Sequence, residues 1–272
     1  MNFTSCFGID LENMIQLKVA LGGAESTYLS RAQSFDRFCV NEYPNLDCLT
    51  EALALEWIKD AGNAARTILS RISFERGFAT YLHSVGKPAY IFPERFAAGR
   101  TIFIPYIFTD RELTALFREI DAYQYPREPL LPVLLSTYFR LTYTCGLRPN
   151  EGRNLKKQDV DLNTGEVRIL NTKMQKSRIV VMSDDMLSMA KTYSTLLDIV
   201  YPGSPYFFPS SNGTPYTAAW MQTKFKSFFA KANPEIPKEF LPAVRVYDLR
   251  HRFATTVLNR WLDDKKNINS RL

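Results

Sequence analysis

An apolar segment that ends in a glycine–leucine–arginine–proline corner constrains the fold of this chain more than any other stretch. Its periodicity predicts a helix from about Leu131 to Cys145 that stops at Gly146, because glycine suits the left-handed position after a helix end. Arg148 then lies at the corner, and Pro149 fits the first turn of a new helix. The sequence therefore predicts two helices that meet at an arginine.

A second arginine stretch, Tyr247-Asp-Leu-Arg250-His251, lies near the other end of the chain. It predicts Arg250 close to the start of another helix, with Asp248 as the cap. Two arginines at helix corners could grip one phosphate, since a guanidinium is a rigid fork of hydrogen-bond donors. The alternative is that both form structural salt bridges, because arginine is common at helix ends.

Length and composition describe an ordinary globular protein. The 272 residues are enough for about two domains, and a hydrophobic content of 46% supplies a core. The formal charge of +6 permits a polyanionic partner without proving one.

Several classes of protein are disfavoured by what the sequence lacks. The four cysteines are scattered with no CxxC pair, so neither a zinc site nor a disulfide framework is expected. His83 and His251 are the two histidines, too few for a histidine-rich metal site. The sequence shows no secretory signal and no apolar run of about eighteen residues. We therefore expect a cytoplasmic protein with no membrane partner.

The first part of the chain is expected to be an all-helical domain, residues 1–86. Helical periodicity runs from Leu11 to Leu21 and from Ser26 to Tyr43, and Thr50 and Asn63 are candidate caps of two further helices. The last of these helices has arginines and hydroxyls that we interpret as phosphate contacts, although a solvated face is the usual meaning of such residues. These candidate DNA-binding residues are Arg66, Thr67, Ser70 and Arg71.

A linker is predicted over residues 87–107, where prolines and a glycine interrupt any periodicity and Arg100 is a further candidate DNA-binding residue. A second domain, residues 108–272, is expected to open with a capping box at Thr109 and Glu112. Alternating apolar residues around Val167 and Ile179 predict a small antiparallel sheet among its helices. The predicted fold class is thus mainly α with a small antiparallel sheet (α+β).

Two further side chains are candidates for chemistry. Lys173 lies at the turn of the predicted hairpin, where a lysine could reach a phosphate or donate a proton, or could simply aid solubility. His251 could act as a base, although a histidine with no carboxylate partner in view is more often a packing or hydrogen-bonding residue.

Taken in order, these stretches resemble the tyrosine recombinases, also called the phage integrase family. The resemblance covers nearly the whole chain, with residues 1–86 similar to the core-binding (SAM-like) domain and residues 108–272 similar to the catalytic domain. Four stretches carry it: Thr144-Cys-Gly-Leu-Arg148-Pro-Asn-Glu151, Gln158-Asp-Val-Asp-Leu162, Thr172-Lys173-Met-Gln-Lys-Ser-Arg178 and Tyr247-Asp-Leu-Arg250-His251.

The resemblance implies a recombinase or integrase, as in mobile genetic elements, that clamps double-stranded DNA without a cofactor, metal or small-molecule substrate. Arg148 and Arg250 would bind the scissile phosphate and stabilise charge in the transition state. Lys173 would protonate the leaving 5′-hydroxyl. Glu151 and His251 would support the site.

Two departures from the family pattern alter this expectation. Tyr247 stands where the second box normally has histidine, and it should still donate a hydrogen bond to a phosphate oxygen. The 272 residues contain no tyrosine after Tyr247, whereas the family's nucleophilic tyrosine follows the second box. We therefore expect a chain truncated before its nucleophile, which binds DNA and does not cleave it unaided.

Three origins of such a chain stay open, namely a trimmed fragment, a decayed gene or a non-catalytic paralogue. The alternative function is that of a DNA-binding regulator or architectural protein that reuses the fold. Family members form homo-oligomers on DNA by exchanging a C-terminal segment. Without that segment the chain is expected to be a monomer free in solution.

Overall fold

The computed structural model describes residues 3–62, 64–96, 104–170 and 177–263. The chain divides into two compact units, residues 1–103 and residues 104–272. Within the described ranges, no helix is both long enough and apolar enough to cross a membrane.

The first unit is helical, as predicted. Its helices are α1 Gly8–Ala20, α2 Glu25–Glu42, α3 Glu51–Lys59 and α4 Ala65–Ser84. Helix α3 has the predicted cap, because the Thr50 hydroxyl accepts a hydrogen bond from the backbone N–H of Leu53 at 3.3 Å. The other predicted cap, Asn63, lies outside the described residues, and Ala64 precedes α4.

Aromatic rings fill the centre of the first unit. The Phe35 ring packs edge-on against Trp57, with 4.9 Å between ring centroids, an arrangement that complements the quadrupoles of the two rings. The buried rings of this core are Phe7, Phe35, Trp57, Phe74, Phe78 and Phe92.

The burial of Phe92 shows that the chain keeps contact with the first unit beyond α4. The N–H of Tyr90 donates to the Leu49 carbonyl at 2.7 Å, and Arg76 Nε donates to the Phe92 carbonyl at 2.9 Å. The segment up to Phe92 therefore packs on the first unit, although residue 87 is the predicted start of the linker. An aromatic side chain that enters a core outweighs the nearby prolines that made this stretch look like a spacer.

The second unit combines helices with one two-stranded sheet, which confirms the predicted fold class. Its helices are α5 Asp110–Asp121, α6 Leu130–Thr144, α7 Pro149–Arg153, α8 Asp184–Val200, α9 Ala218–Lys231 and α10 Val246–Asp263. Helix α5 begins with the predicted capping box, in which Thr109 and Glu112 bond each other's backbone N–H groups. Helix α6 lies at the centre, packed against α5, α8 and α10.

The sheet has strands β1 Glu166–Ile169 and β2 Arg178–Val181, which pair antiparallel. Glu166 lies opposite Val181, and Ile169 lies opposite Arg178. Burial alternates along both strands, as expected when one face of a sheet packs on a core. The hairpin turn with Lys173 lies outside the described residues.

Helix α10 begins at Val246, two residues before Asp248, the predicted cap. Asp248 is therefore not the residue that precedes the helix but lies in its first turn. Its fully buried carboxylate accepts from the Arg245 backbone N–H at 2.8 Å. The acid stabilises the helix N-terminus by bonding backward along the chain.

Candidate functional site

The corner after α6 has the backbone that its sequence predicts. Gly146 adopts a φ of +58°, and the Leu147 N–H returns to the Thr142 carbonyl at 3.1 Å, which ends the helix in the manner of a glycine cap. Pro149 opens α7. Arg148 is therefore held between two helices, and its backbone N–H donates to Glu151 Oε2 at 2.8 Å.

The carboxylate of Glu151 binds two arginines. Arg148 Nη1 donates to Oε1 at 2.7 Å. Arg178 makes a two-point contact, Nη1 to Oε1 at 3.0 Å and Nη2 to Oε2 at 2.6 Å. Burial opposes the charge on Glu151, but the bonds from Arg178 and Arg148 outweigh it and hold the pKa of Glu151 at about 2.

Arg250 reaches the same corner from α10. Its Nη1 donates to the Gly146 carbonyl, and the Phe253 ring lies against the bare α-carbon of Gly146. Burial first, and then the positive charges of Arg148 and Arg178, lower the pKa of Arg250. Three guanidinium groups thus lie near one carboxylate, an arrangement that a bound anion would stabilise.

Tyr247 and His251 line the adjoining turn of α10. Their rings lie 5.0 Å apart at an angle of 50°. Glu151, and secondarily a hydrogen bond with the Tyr247 hydroxyl, raise the pKa of Arg148. Tyr247 therefore faces the arginine that the first box supplies, and His251 packs on Tyr247.

Two clefts flank the arginines. A cleft of about 390 Å³ is lined by Gly146, Arg178 and Arg250. A second cleft of about 500 Å³ runs beside Arg148 and Arg168. Both clefts present guanidinium groups, the donors that recognise phosphate most specifically. The described residues contain no cluster of histidine, cysteine and acidic side chains that could hold a metal ion.

The candidate residues on α4 do not share one surface. Arg66 is exposed and Thr67 half-buried, and Ser70 Oγ accepts from Arg31 Nε at 2.8 Å. Arg71 is buried: Nη1 bonds the Trp57 carbonyl and reaches Asp60 Oδ2 at 2.9 Å. Arg71 therefore joins α4 to α3 through contacts inside the protein, and its DNA contact stays a prediction.

The sequence contained the signal that separates Arg71 from Arg66. Arg71 precedes Phe74, Phe78 and Leu82 by three, seven and eleven residues, spacings that place it in the apolar stripe of a helix.

Arg178 belongs to the hairpin motif, where sequence reasoning gave it no role of its own. Strand alternation puts it on the same face as Val180, where it meets Glu151. Lys173 and Arg100 lie outside the described ranges.

Comparison with known proteins agrees with this arrangement. Residues 108–267 match the model of the phage integrase family. The chain is 29% identical to "Putative integrase/recombinase y4rE" of Sinorhizobium fredii (strain NBRC 101917 / NGR234), over 99% of this chain and 86% of that protein. It is 26% identical to the tyrosine recombinase XerC of Staphylococcus carnosus (strain TM300), over 59% of this chain and 51% of that protein.

Solved structures show the same fold at low sequence identity. The Tn1549 transposon integrase in complex with transposon right end DNA superposes with a TM-score of 0.66 at 15% identity, covering 92% of this chain and 87% of that one. The XerH recombinase in its post-cleavage complex gives 0.63 at 20% identity, covering 92% and 73%. The family match spans more than half of the residues, and the chain belongs to the phage integrase family, the tyrosine recombinases.

Proposed function

We propose that this chain binds double-stranded DNA and holds one backbone phosphate between Arg148 and Arg250. The observation that carries the proposal is the group of three arginines around Glu151, in which Arg250 donates to an uncharged carbonyl. The Arg148 side chain is 42% exposed, so it can meet a ligand. The Tn1549 integrase, which shares the fold, is in complex with transposon right end DNA, and XerH is bound to its palindromic difH substrate.

The same site has the arrangement that would serve DNA strand breakage and rejoining of the kind that integrates mobile DNA, provided that a nucleophile is supplied. Positioned guanidinium groups would stabilise the charge that develops on the phosphate. Tyr247, which faces Arg148, would donate a hydrogen bond to a phosphate oxygen. Lys173, on the family resemblance, would protonate the leaving 5′-hydroxyl.

We also propose that α4 contacts the DNA backbone through Arg66, Thr67 and Ser70, with Arg31 in place of Arg71. Ser70 fixes the Arg31 side chain through the 2.8 Å hydrogen bond. The Arg31 guanidinium is therefore held beside Ser70 of α4. Arg100 remains a proposed contact on its sequence position alone.

The salt dependence of DNA affinity tests the phosphate contacts. Each phosphate contact contributes about 0.9 to the slope of log affinity against log salt. Arg148→Ala and Arg250→Ala are each expected to lower the slope by about 0.9 and to weaken binding to any duplex sequence. The measurement is fluorescence anisotropy on a labelled duplex over a salt series.

Lys191→Ala is the charge-matched control, because Lys191 is exposed on α8 outside the group around Glu151. It is expected to keep the wild-type slope. If Arg148→Ala and Lys191→Ala behaved alike, the arginine group would not be the phosphate site.

A covalent-trapping assay tests the choice between strand cleavage and DNA binding alone. The 272 residues hold no tyrosine after Tyr247. Tyr247 itself faces Arg148, as expected of a side chain that hydrogen-bonds to the phosphate. A polypeptide of these residues is therefore expected to bind nicked duplex DNA without a covalent protein–DNA product on denaturing gels. A covalent product that Tyr247→Phe removes would overturn this expectation and make Tyr247 the attacking group.

A further inference from the structure

Arg178 differs from the other arginines of the site in how its guanidinium is used. Both of its terminal nitrogens bond to Glu151, one to each carboxylate oxygen. Its side chain is 30% exposed, and that of Glu151 is 12% exposed. Arg178 therefore has a fixed partner on the protein, in the two-point geometry that gives the strongest carboxylate bond.

Arg148 contacts the same carboxylate more sparingly. One terminal nitrogen donates to Oε1, while the backbone N–H of Arg148 donates to Oε2. Glu151 thus fixes both the main chain and the side chain of Arg148. A carboxylate that orients a cation also cancels its charge, which would weaken a phosphate site built on that cation.

We propose that Arg178 is a positioning residue that compensates the charge of Glu151, so that Glu151 can orient Arg148 without neutralising it toward phosphate. The proposal rests on the proposed function, in which Arg148 binds a DNA phosphate. Arg148, Arg178 and Arg250 against Glu151 leave two net positive charges at the corner. Loss of Arg178 would leave one net positive charge. The negative charge of Glu151 would then act on Arg148 without compensation.

A double-mutant cycle tests charge compensation directly. Arg178→Ala is expected to lower the salt slope of duplex-DNA binding by about 0.9, the equivalent of one phosphate contact. Adding Glu151→Gln to Arg178→Ala removes the uncompensated carboxylate and restores two positive charges, so the double variant should recover the wild-type slope. Slopes would be measured by anisotropy on one labelled duplex, with thermal unfolding of each variant recorded alongside.

Glu151→Gln alone tests the same role if Arg178→Ala does not fold. Glutamine retains an oxygen that can accept the backbone N–H of Arg148, while the negative charge is gone. Affinity for duplex DNA should then exceed that of the wild type, because the group of arginines carries one more net positive charge. A fall of the slope by about 0.9 would show that the charge of Glu151 is needed and would overturn the proposal.

The remaining outcomes also decide the question. If Arg178→Ala and the double variant lose slope equally, Arg178 contacts DNA itself or supports the hairpin, and compensation is not its role. An unchanged slope in Arg178→Ala would remove Arg178 from the site. Arg148→Ala separates the two proposals, because a wild-type slope in that variant refutes the phosphate site, whereas a reduced slope leaves only the role of Arg178 in question.

Discussion

Replacing Gly146 with alanine is expected to destabilise the second unit by about 2–5 kcal/mol, from about 1–2 for a left-handed backbone and about 1–3 for a steric overlap. The backbone φ of +58° disfavours any side chain. A β-carbon at this position would lie 2.3 Å from Cδ1 of Phe253. The ring, or the start of α10 that carries it, would have to move, and Arg250 bonds the Gly146 carbonyl from the same helix.

The measurement for Gly146→Ala is urea unfolding read by hydrogen exchange in peptides of α6, together with the salt slope of DNA binding. Gly203→Ala is the matched control, because Gly203 has a φ of +79° and, apart from its chain neighbours, no described residue has an atom within 4 Å of the place that a β-carbon would occupy. The control should lose the backbone term alone and keep its DNA slope. Equal losses of stability in the two variants would show that the Phe253 contact contributes nothing.

The corner at Gly146 was predictable because its chemistry is local. A glycine after an apolar helix and a proline three residues later suffice to place Arg148 between α6 and α7. The capping box at Thr109 and the alternation around Val167 belong to the same class. In each case, residues within one turn or one strand determine the backbone, so no distant partner has to be known.

The features that sequence reasoning missed depend on partners far along the chain. Arg178 meets Glu151 across 27 positions, and Arg71 meets Trp57 across 14. The charge of an arginine predicts an anionic partner, but a phosphate and a protein carboxylate fit its guanidinium equally well. The helical spacing of Arg71 would have indicated an inward direction, whereas the alternation centred on Ile179 put Arg178 on the opposite face, and the structure exposes Ile179 and half-buries Arg178. The identity of the partner required the packed structure.

The pH dependence of stability in the first unit is expected to centre on Glu75. Its side chain is 1% exposed, and Oε1 has no hydrogen-bond partner among the described residues. The Phe92 N–H reaches Oε2 at a long 3.4 Å. This N–H and the charge of Arg76 favour the ionised carboxylate. Burial disfavours it more strongly and raises the pKa of Glu75 from 4.5 to about 7.

The sign of the effect follows from proton binding. Between pH 4.5 and about 7 the folded chain keeps a proton on Glu75 that the unfolded chain has released, so stability falls as pH rises through this window. The folded and unfolded pKa values of Glu75 differ by about 2.5. At about 1.4 kcal/mol for each pKa unit, this corresponds to about 3 kcal/mol of stability lost by pH 8 relative to pH 4. Other titratable groups also make stability depend on pH. Comparison with a variant that lacks the Glu75 carboxyl removes their contribution.

Glu75→Gln is expected to remove this loss and to stabilise the first unit at pH 8 by up to about 3 kcal/mol, because the amide stays neutral throughout. Glu42→Gln, at an exposed position of α2, should leave the pH profile as it is. Urea unfolding at a series of pH values, read by hydrogen exchange in α4 peptides, measures both. Parallel profiles for Glu75→Gln and the wild type would mean that the buried carboxyl does not titrate between about pH 4 and 8. A profile in Glu75→Gln that lacks the wild-type fall would instead show that Glu75 is protonated where the segment at Phe92 packs on it, which links the attachment of this segment to pH in the neutral range.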